Sequence, residues 1–321
     1  MTNMSGGPAV ELTGLSKSFD GKPAVRNLNL TIPRGSTYGL LGPNGAGKTT
    51  TIRMMLHVID SDTGSVRVLG EPLSQSVLRH FGYLPEERGV YRQMKVRRAL
   101  QFYAELKGMR PRESNPRITH WLERFELSDR ANSKVQELSK GNQQKIQFIS
   151  SILHEPEIMV MDEPFSGLDP INQQLLKDII VDLKRSGKTI LFSTHIIEHA
   201  ERICDHVCIM ARGESVANGT MSQVKRLHGD NYIAITFDPW TREASQLLQR
   251  SPLIAKVQES GPTAEVTLKP GGDPQALLVE LVQSGIRLKR FDYGEPSLEQ
   301  VFLEKVGAPA DIISEIEAAH V

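Results

Sequence analysis

Cysteine is nearly absent from this chain: of 321 residues only Cys204 and Cys208 carry thiols. Two are too few for the disulfide framework of a small secreted protein, so a buried apolar core must hold the fold, and a reducing compartment is expected. Long apolar runs are missing as well. No window of about 18 apolar residues offers a membrane-spanning helix. The opening stretch MTNMSGGPAVEL has no apolar segment of signal-peptide type, so the expectation is a soluble or membrane-peripheral protein without a secretory leader. Nor is there an excess of charge, since 38 Lys+Arg meet 38 Asp+Glu and the formal net charge is zero with 9 neutral His. That balance excludes a polybasic nucleic-acid binder and an acidic disordered chain.

The length suits two domains, each large enough to bury a core. The charge is not spread evenly. Up to Asp230 there are 30 basic and 25 acidic residues, a surplus of +5, and beyond it 8 basic and 13 acidic, or −5. A boundary near residue 230 is expected. Before it, VELTGLSKSF, LNLTIP and STYGLLG read as β segments, the last running through glycines into the helical KTTTIRMMLHVI. From about Val90 to Leu153 the spacing turns helical: VRRALQFYAELKGM, PRITHWLERFEL and GNQQKIQFISSIL form an inserted helical region. The short apolar runs IMVMD and TILFST, separated by INQQLLKDIIVDLKRSG, read as strands buried on both faces. Strands alternating with helices predict an α/β fold with a parallel sheet. Beyond residue 230, four strand-like and three helix-like segments fit a small α+β domain of ferredoxin-like type.

Gly42-Pro43-Asn44-Gly45-Ala46-Gly47-Lys48-Thr49 fits the phosphate-loop pattern, and it lies between a strand and a helix as the mechanism needs. Glycines let backbone N–H groups turn toward phosphate, the helix N-terminus adds a positive dipole, Lys48 neutralises β/γ-phosphate charge and the Thr49 hydroxyl ligates Mg²⁺. Ile158–Glu163 supplies the complement. An apolar strand ends in Asp162, suited to the Mg²⁺ shell, and Glu163 beside it can orient or deprotonate a water. His195 to His199 also spells H-x-x-E-H, a zinc-protease pattern. Zinc would need both histidines on one helix, whereas TILFST runs straight into His195 and puts it at a strand end, where α/β sites contact ligands. His195 is therefore expected at the γ-phosphate, and His199 as an ordinary helix position.

One further run makes these residues specific. Leu138-Ser139-Lys140-Gly141-Asn142-Gln143-Gln144 resembles the LSGGQ signature of ATP-binding subunits of ABC transporters, and Ser166-Gly167-Leu168-Asp169 and Ser193-Thr194-His195 are similar to that family's D-loop and switch histidine. The resemblance covers about residues 10–225. It implies a P-loop ATPase core over residues 8–228, with an N-terminal antiparallel β region and a helical insert at about 88–153, then a C-terminal α+β domain over 231–306 and a tail over 307–321. It implies ATP and Mg²⁺ as ligands, with phosphate held by Gly42 through Thr50, that is Gly42, Pro43, Asn44, Gly45, Ala46, Gly47, Lys48, Thr49 and Thr50. By the same resemblance Phe19 stacks on adenine, although a core role for Phe19 is as open from the residues alone. Two copies, or this chain and a paralogue, would pair so that Ser139 and Gly141 of one close on ATP held by the other, with Asp169 at the junction. A transmembrane permease subunit is the implied partner, no nucleic acid is expected, and the place of work is the cytoplasmic face of the cell membrane.

Departures narrow the resemblance. Glu86, in GYLPEERGVY, stands where the family has a Q-loop glutamine, and either ligates the metal or a water, or weakens ATP binding by its charge. Lys140 and Asn142 replace Gly and Gln of the signature. GYLPEERG, LSKGNQQK and the closing PSLEQVFLEKVG resemble the ABC-2-type exporters of sodium and drugs. Two rivals remain: a soluble ABC ATPase on ribosomes or DNA, disfavoured by the single phosphate loop and the lack of heptads, and a non-catalytic ATP-binding regulator. Arg92, Lys95, Arg97 and Arg98 are read either as a solvated helix face or as a contact with a membrane partner or anionic lipid. Cys204 and Cys208 are expected as buried thiols. Ile312, Ile313 and Ile316 have helical spacing in the tail.

Overall fold

The computed structural model describes residues 7–87, 89–227 and 231–307; the isoleucines of the tail lie outside them. The chain divides into two compact units between Asn218 and Gly219. The charge step near residue 230 lies after this division, because a short helix at Met221–Arg226 packs within the second unit.

The first unit opens with β1 (Val10–Phe19) and β2 (Lys22–Ile32), followed by β3 (Thr37–Leu41), α1 (Lys48–Met55), β4 (Thr63–Val68), β5 (Glu71–Pro72) and β6 (Phe81–Leu84). The insert supplies α2 (Val96–Leu106), α3 (Pro111–Arg124) and α4 (Lys140–Ile152). Then come β7 (Ile158–Asp162), α5 (Pro170–Arg185), β8 (Thr189–Thr194), α6 (Ile197–Ile203), β9 (His206–Ala211) and β10 (Glu214–Thr220). An antiparallel sheet has the order β2-β1-β4-β5, and a six-stranded sheet has the order β10-β9-β3-β8-β7-β6 with β9, β3, β8, β7 and β6 parallel. The β1–β2 hairpin closes at Asp20-Gly21, both with positive φ, which matches the right-handed strand twist.

Every residue of β3, β7 and β8 is buried, which explains why apolar residues occupy both of their faces. Their register sets the site. Leu41 pairs with Thr194, Asp162 with Ser193, and Leu84 with Met161, so the segments leaving these strands emerge along one carboxyl edge, where open α/β sheets bind ligands.

Two helix ends differ from the sequence expectation. α1 stops at Met55 because His57 turns left-handed (φ 54°). α3 starts at Pro111 instead of Pro116: Glu113 accepts a hydrogen bond from the Arg110 N–H at 3.1 Å, and Pro111 takes a position where a missing N–H costs nothing.

The second unit contains α7 (Met221–Arg226), β11 (Tyr232–Phe237), α8 (Arg242–Arg250), β12 (Ile254–Ser260), β13 (Thr263–Leu268), α9 (Pro274–Gln283), β14 (Leu288–Gly294) and α10 (Leu298–Val306). Its sheet is antiparallel with the order β12-β13-β11-β14. From β11 to β14 this is the β-α-β-β-α-β arrangement of a ferredoxin-like domain. Ile233, Ile235, Val266, Leu248, Leu277 and Leu281 form its core.

Candidate functional site

The site is built from the segments that leave the carboxyl ends of β3, β7 and β8. After Leu41 the chain enters Gly42–Gly47, where Gly45 (φ 78°) and Gly47 (φ 102°) are left-handed. A Cβ on Gly47 would also lie 2.5 Å from the Ala24 carbonyl oxygen, so only glycine suits this turn. Gly47 caps α1 without any side chain, which leaves the first N–H groups of the helix available to an anion.

Lys48 is buried, and its ammonium donates to the carbonyls of Gly42 (2.6 Å) and Pro43 (3.2 Å), with Glu163 Oε1 at 3.6 Å. Burial pushes its pKa down, while the charges of Glu163 and Asp162 oppose the shift. An ammonium with this little solvent gains strongly from phosphate oxygens.

Glu163 sits just past the end of β7 in the left-handed region (φ 47°), 8% exposed. Its carboxylate lies between two side chains, with Oε1 3.6 Å from the Lys48 ammonium and Oε2 3.1 Å from His195 Nδ1. Oε1 has no hydrogen-bond donor among the described residues. Asp162, 2% exposed, accepts a hydrogen bond from Ser193 Oγ at 2.5 Å, and the same Oγ accepts from the Glu163 N–H at 3.0 Å. His195 lies between β8 and α6, held in a turn where the Ile196 N–H donates to Thr194 Oγ1 at 3.0 Å. Of the two histidines of H-x-x-E-H only His199 lies on α6, and Glu198 pairs with Arg202 at 2.7 Å. His199 is 4% exposed with its ring edge-on to Phe165 at 4.4 Å.

Glu86 follows β6 on the same edge. Burial raises its carboxyl pKa first, and the negative charges of Asp162 and Glu163 add to the shift, with Lys48 opposing. Its loop is held by Gln147 of α4, whose amide donates to the carbonyls of Pro85 (3.2 Å) and Glu87 (2.9 Å).

Other expected site residues form a second cluster. Ser139 is the N-cap of α4 and accepts from the Asn142 N–H at 3.3 Å, and a Cβ on Gly141 would meet Leu168 at 3.5 Å. Asp169 caps α5 through Asn172, which holds its carboxyl below the usual range. The signature and the D-loop therefore lie side by side. Phe19 ends β1 half exposed, with the Lys17 ammonium 5.7 Å from its ring centre, so it is not a core residue. Thr49 and Thr50 are partly exposed on the first turn of α1. Of the basic cluster, Arg97 donates to Thr119 and Arg98 pairs with Glu105 at 2.9 Å, while Arg92 and Lys95 are exposed. Cys208 is buried, and burial pushes its thiol up to about 12.

Sequence reasoning named Ser193 only as a neighbour of the switch histidine, and it missed Gln147. The signal for Ser193 was a hydroxyl directly after the apolar Ile190–Phe192; for Gln147 it was an amide on the packed face of α4, and both are buried.

Residues 25–166 match the family described as ABC transporter, and residues 219–306 match the C-terminal domain described as ATP-binding protein DrrA1-3-like. The chain is 44% identical to the uncharacterized ABC transporter ATP-binding protein YhaQ of Bacillus subtilis (strain 168), over 92% of this chain and 97% of that one. It is 34% identical to the Nod factor export ATP-binding protein I of Rhizobium sp. (strain N33), over 93% of this chain and 97% of that one. Among solved structures, an ATP binding subunit of an ABC transporter superposes with a TM-score of 0.65 at 32% identity, covering 69% of this chain and 93% of that one.

Proposed function

The chain belongs to the ATP-binding proteins of ABC transporters, which are ATPases, and we propose that it energises an exporter through the site at the edge of β3, β7 and β8. One observation carries this reading: a single buried carboxylate, Glu163, joins the phosphate-loop lysine to the strand-end histidine, beside Asp162. Groups suited to phosphate, metal and attacking water thereby converge on one edge.

In this mechanism the left-handed glycines and the start of α1 bind the β- and γ-phosphates of ATP, and Lys48 leaves its carbonyl partners for phosphate oxygens. Phe19 supplies the open ring for adenine stacking. The donor set beside Lys48 is all oxygen, the Asp162 carboxylate and the Thr49 hydroxyl with Glu86 nearby, which fits Mg²⁺. Asp162 and Thr49, with Glu86 nearby, would hold such a cation, which would supply positive charge against the charge that develops on the phosphates. Glu163, aimed by its left-handed backbone, orients and deprotonates the water, and His195 holds Glu163 and meets the γ-phosphate. Ser139 and Gly141 lie with Leu168, near Asp169, in the second cluster, so a second cassette, identical or related, would bring its own signature to this ATP.

ATP-binding subunits of this family work with transmembrane permeases. No helix among the described residues is long and apolar enough to cross a membrane. The proposed partner is such a permease, at the inner membrane face. The similarity to the Nod factor export ATP-binding protein I supports the reading as an exporter.

Glu163→Gln tests the reading. The amide is isosteric but cannot take a proton, so steady-state hydrolysis falls by about 10²–10⁴-fold, while ATP-driven dimerisation, followed by size-exclusion chromatography, persists or strengthens. Normal turnover by this variant would falsify the assignment.

A further inference from the structure

β8 reads TILFST, apolar from Ile190 to Phe192 and then a serine, in a strand with no exposed residue. Ser193 is 0% exposed, and both directions of its hydroxyl are in use. It donates to Asp162 Oδ1 at 2.5 Å and accepts from the Glu163 N–H at 3.0 Å. The register makes this possible, because β7 and β8 are parallel and Asp162 lies opposite Ser193. A hydroxyl is the one small group that can donate to a carboxylate while accepting from a backbone amide, and hydrogen bonds to an ionised acceptor are the stronger kind.

The place of these bonds matters more than their number. Asp162 is the last residue of β7, and Glu163 leaves the strand with φ 47°, a conformation that disfavours a side chain bearing a Cβ. Such a backbone persists only where its surroundings hold it. The Ser193 oxygen is the hydrogen-bond partner of the Glu163 amide. By fixing that amide it sets the direction in which the Glu163 side chain departs, toward Lys48 and His195.

We propose that Ser193 is a positioning residue for ATP hydrolysis, its single hydroxyl fixing both the carboxylate of Asp162 and the backbone turn that aims Glu163. The proposal rests on the roles given above to Asp162 and Glu163. Ser193 touches neither nucleotide nor water in it and acts through those two side chains. Alanine removes both bonds, cysteine keeps the volume while weakening both, and threonine keeps the hydroxyl.

The test uses the full chain, with its membrane partner where hydrolysis requires it. Ser193→Ala and Ser193→Cys should lower kcat by about tenfold to a hundredfold, the range seen when a group orienting a metal-site ligand is lost. KM for Mg·ATP should change much less than kcat, rising only as far as the Mg²⁺-dependent part of the affinity is lost, because the phosphate loop is untouched. Binding of a fluorescent ATP analogue in EDTA should match wild type, and the gain in its affinity on adding Mg²⁺ should shrink. Ser193→Thr should recover most of kcat. The cysteine variant keeps the experiment decisive if alanine fails to fold. Turnover within about twofold of wild type in the alanine and cysteine variants overturns the proposal. So does a threonine variant as damaged as the cysteine one, or a loss of metal-free nucleotide binding in step with kcat, since both indicate packing damage. Glu163→Gln run in parallel separates the two claims. If it turns over normally, the role of Glu163 fails; if it is inactive while the Ser193 variants are normal, only the role of Ser193 fails.

Discussion

His199 lies four residues after the histidine that contacts Glu163, with 4% of its surface exposed and its ring edge-on to Phe165. Lys177, itself buried, has its ammonium 5.8 Å from the other partner of this stack, the Phe165 ring. Burial first and the Lys177 charge second push the imidazole pKa down to about 4, against Glu163, which pulls it up. The unfolded chain takes up this proton near pH 6.5, and the folded chain only near 4. Between those values the unfolded state binds more protons, so stability is full above about pH 6.5 and is lost as pH falls toward 4. His199→Gln removes the titration, so its melting temperature should fall less than that of wild type between pH 7 and pH 5; parallel slopes would assign the acid sensitivity to other groups. The sequence could not show this burial, because a seven-residue helix has too few turns for periodicity to mark its inner face. Lys48, Asp162 and Glu163 were legible for the opposite reason, since each stands at a fixed distance from a loop or strand end that local sequence specifies. Ser193 was not, because its partners are 30 and 31 residues away and meet it only through strand pairing.

α4 carries the signature at one end and a clasp in its middle. Ser139 caps its first turn, and two turns on Gln147 holds the carbonyls on either side of Glu86. A helix is stiff over this length, so the signature segment and the Glu86 loop are tied to one body. Gln147→Leu keeps helix propensity and removes the tie. Pro85 and Glu87 are not fully buried, so water can replace the lost donor, and the cost in stability should be only about 1 kcal/mol. Hydrolysis should fall several-fold, and amide exchange should quicken in the segment after β6 and stay unchanged in α1; equal exchange in both would argue against the tie. The elements themselves were largely legible. β7 and β8 read as strands because burial on both faces permits consecutive apolar residues, Ile158–Met161 and Ile190–Phe192, and the glycine loop announced the β3–α1 unit. The ends of α1 and α3 were less legible, since a left-handed His57 and a Glu113 hydrogen bond decide them, and either is a single residue's choice between local minima. The loop that Gln147 grips lies 60 and 62 residues back in the chain, and no local pattern points to it.

The two units have separate cores: Leu40, Ile52 and Val160 belong to one apolar cluster, and Ile235, Leu248 and Val266 to another. Charge balance showed that the chain has two parts but placed the join late, because α7 brings Lys225 and Arg226 into the acidic second unit, where Arg226 meets Glu295 at 3.4 Å. Separate cores imply separate cooperative transitions, so one unfolding free energy does not describe the whole chain. ATP sites lie in the first unit alone, on the reading proposed above. A ligand that binds only the folded form stabilises it by about 2.7 kcal/mol at a hundred times Kd, and in a domain of this size each kcal/mol raises Tm by about 2–4 °C. Calorimetry of Glu163→Gln with saturating Mg·ATP should therefore show one transition raised by about 5–10 °C and the other unmoved. A second transition that climbs by the same amount would mean that the C-terminal domain unfolds with the cassette or binds nucleotide itself, and the independence of the two units in unfolding and ligand binding would have to be given up.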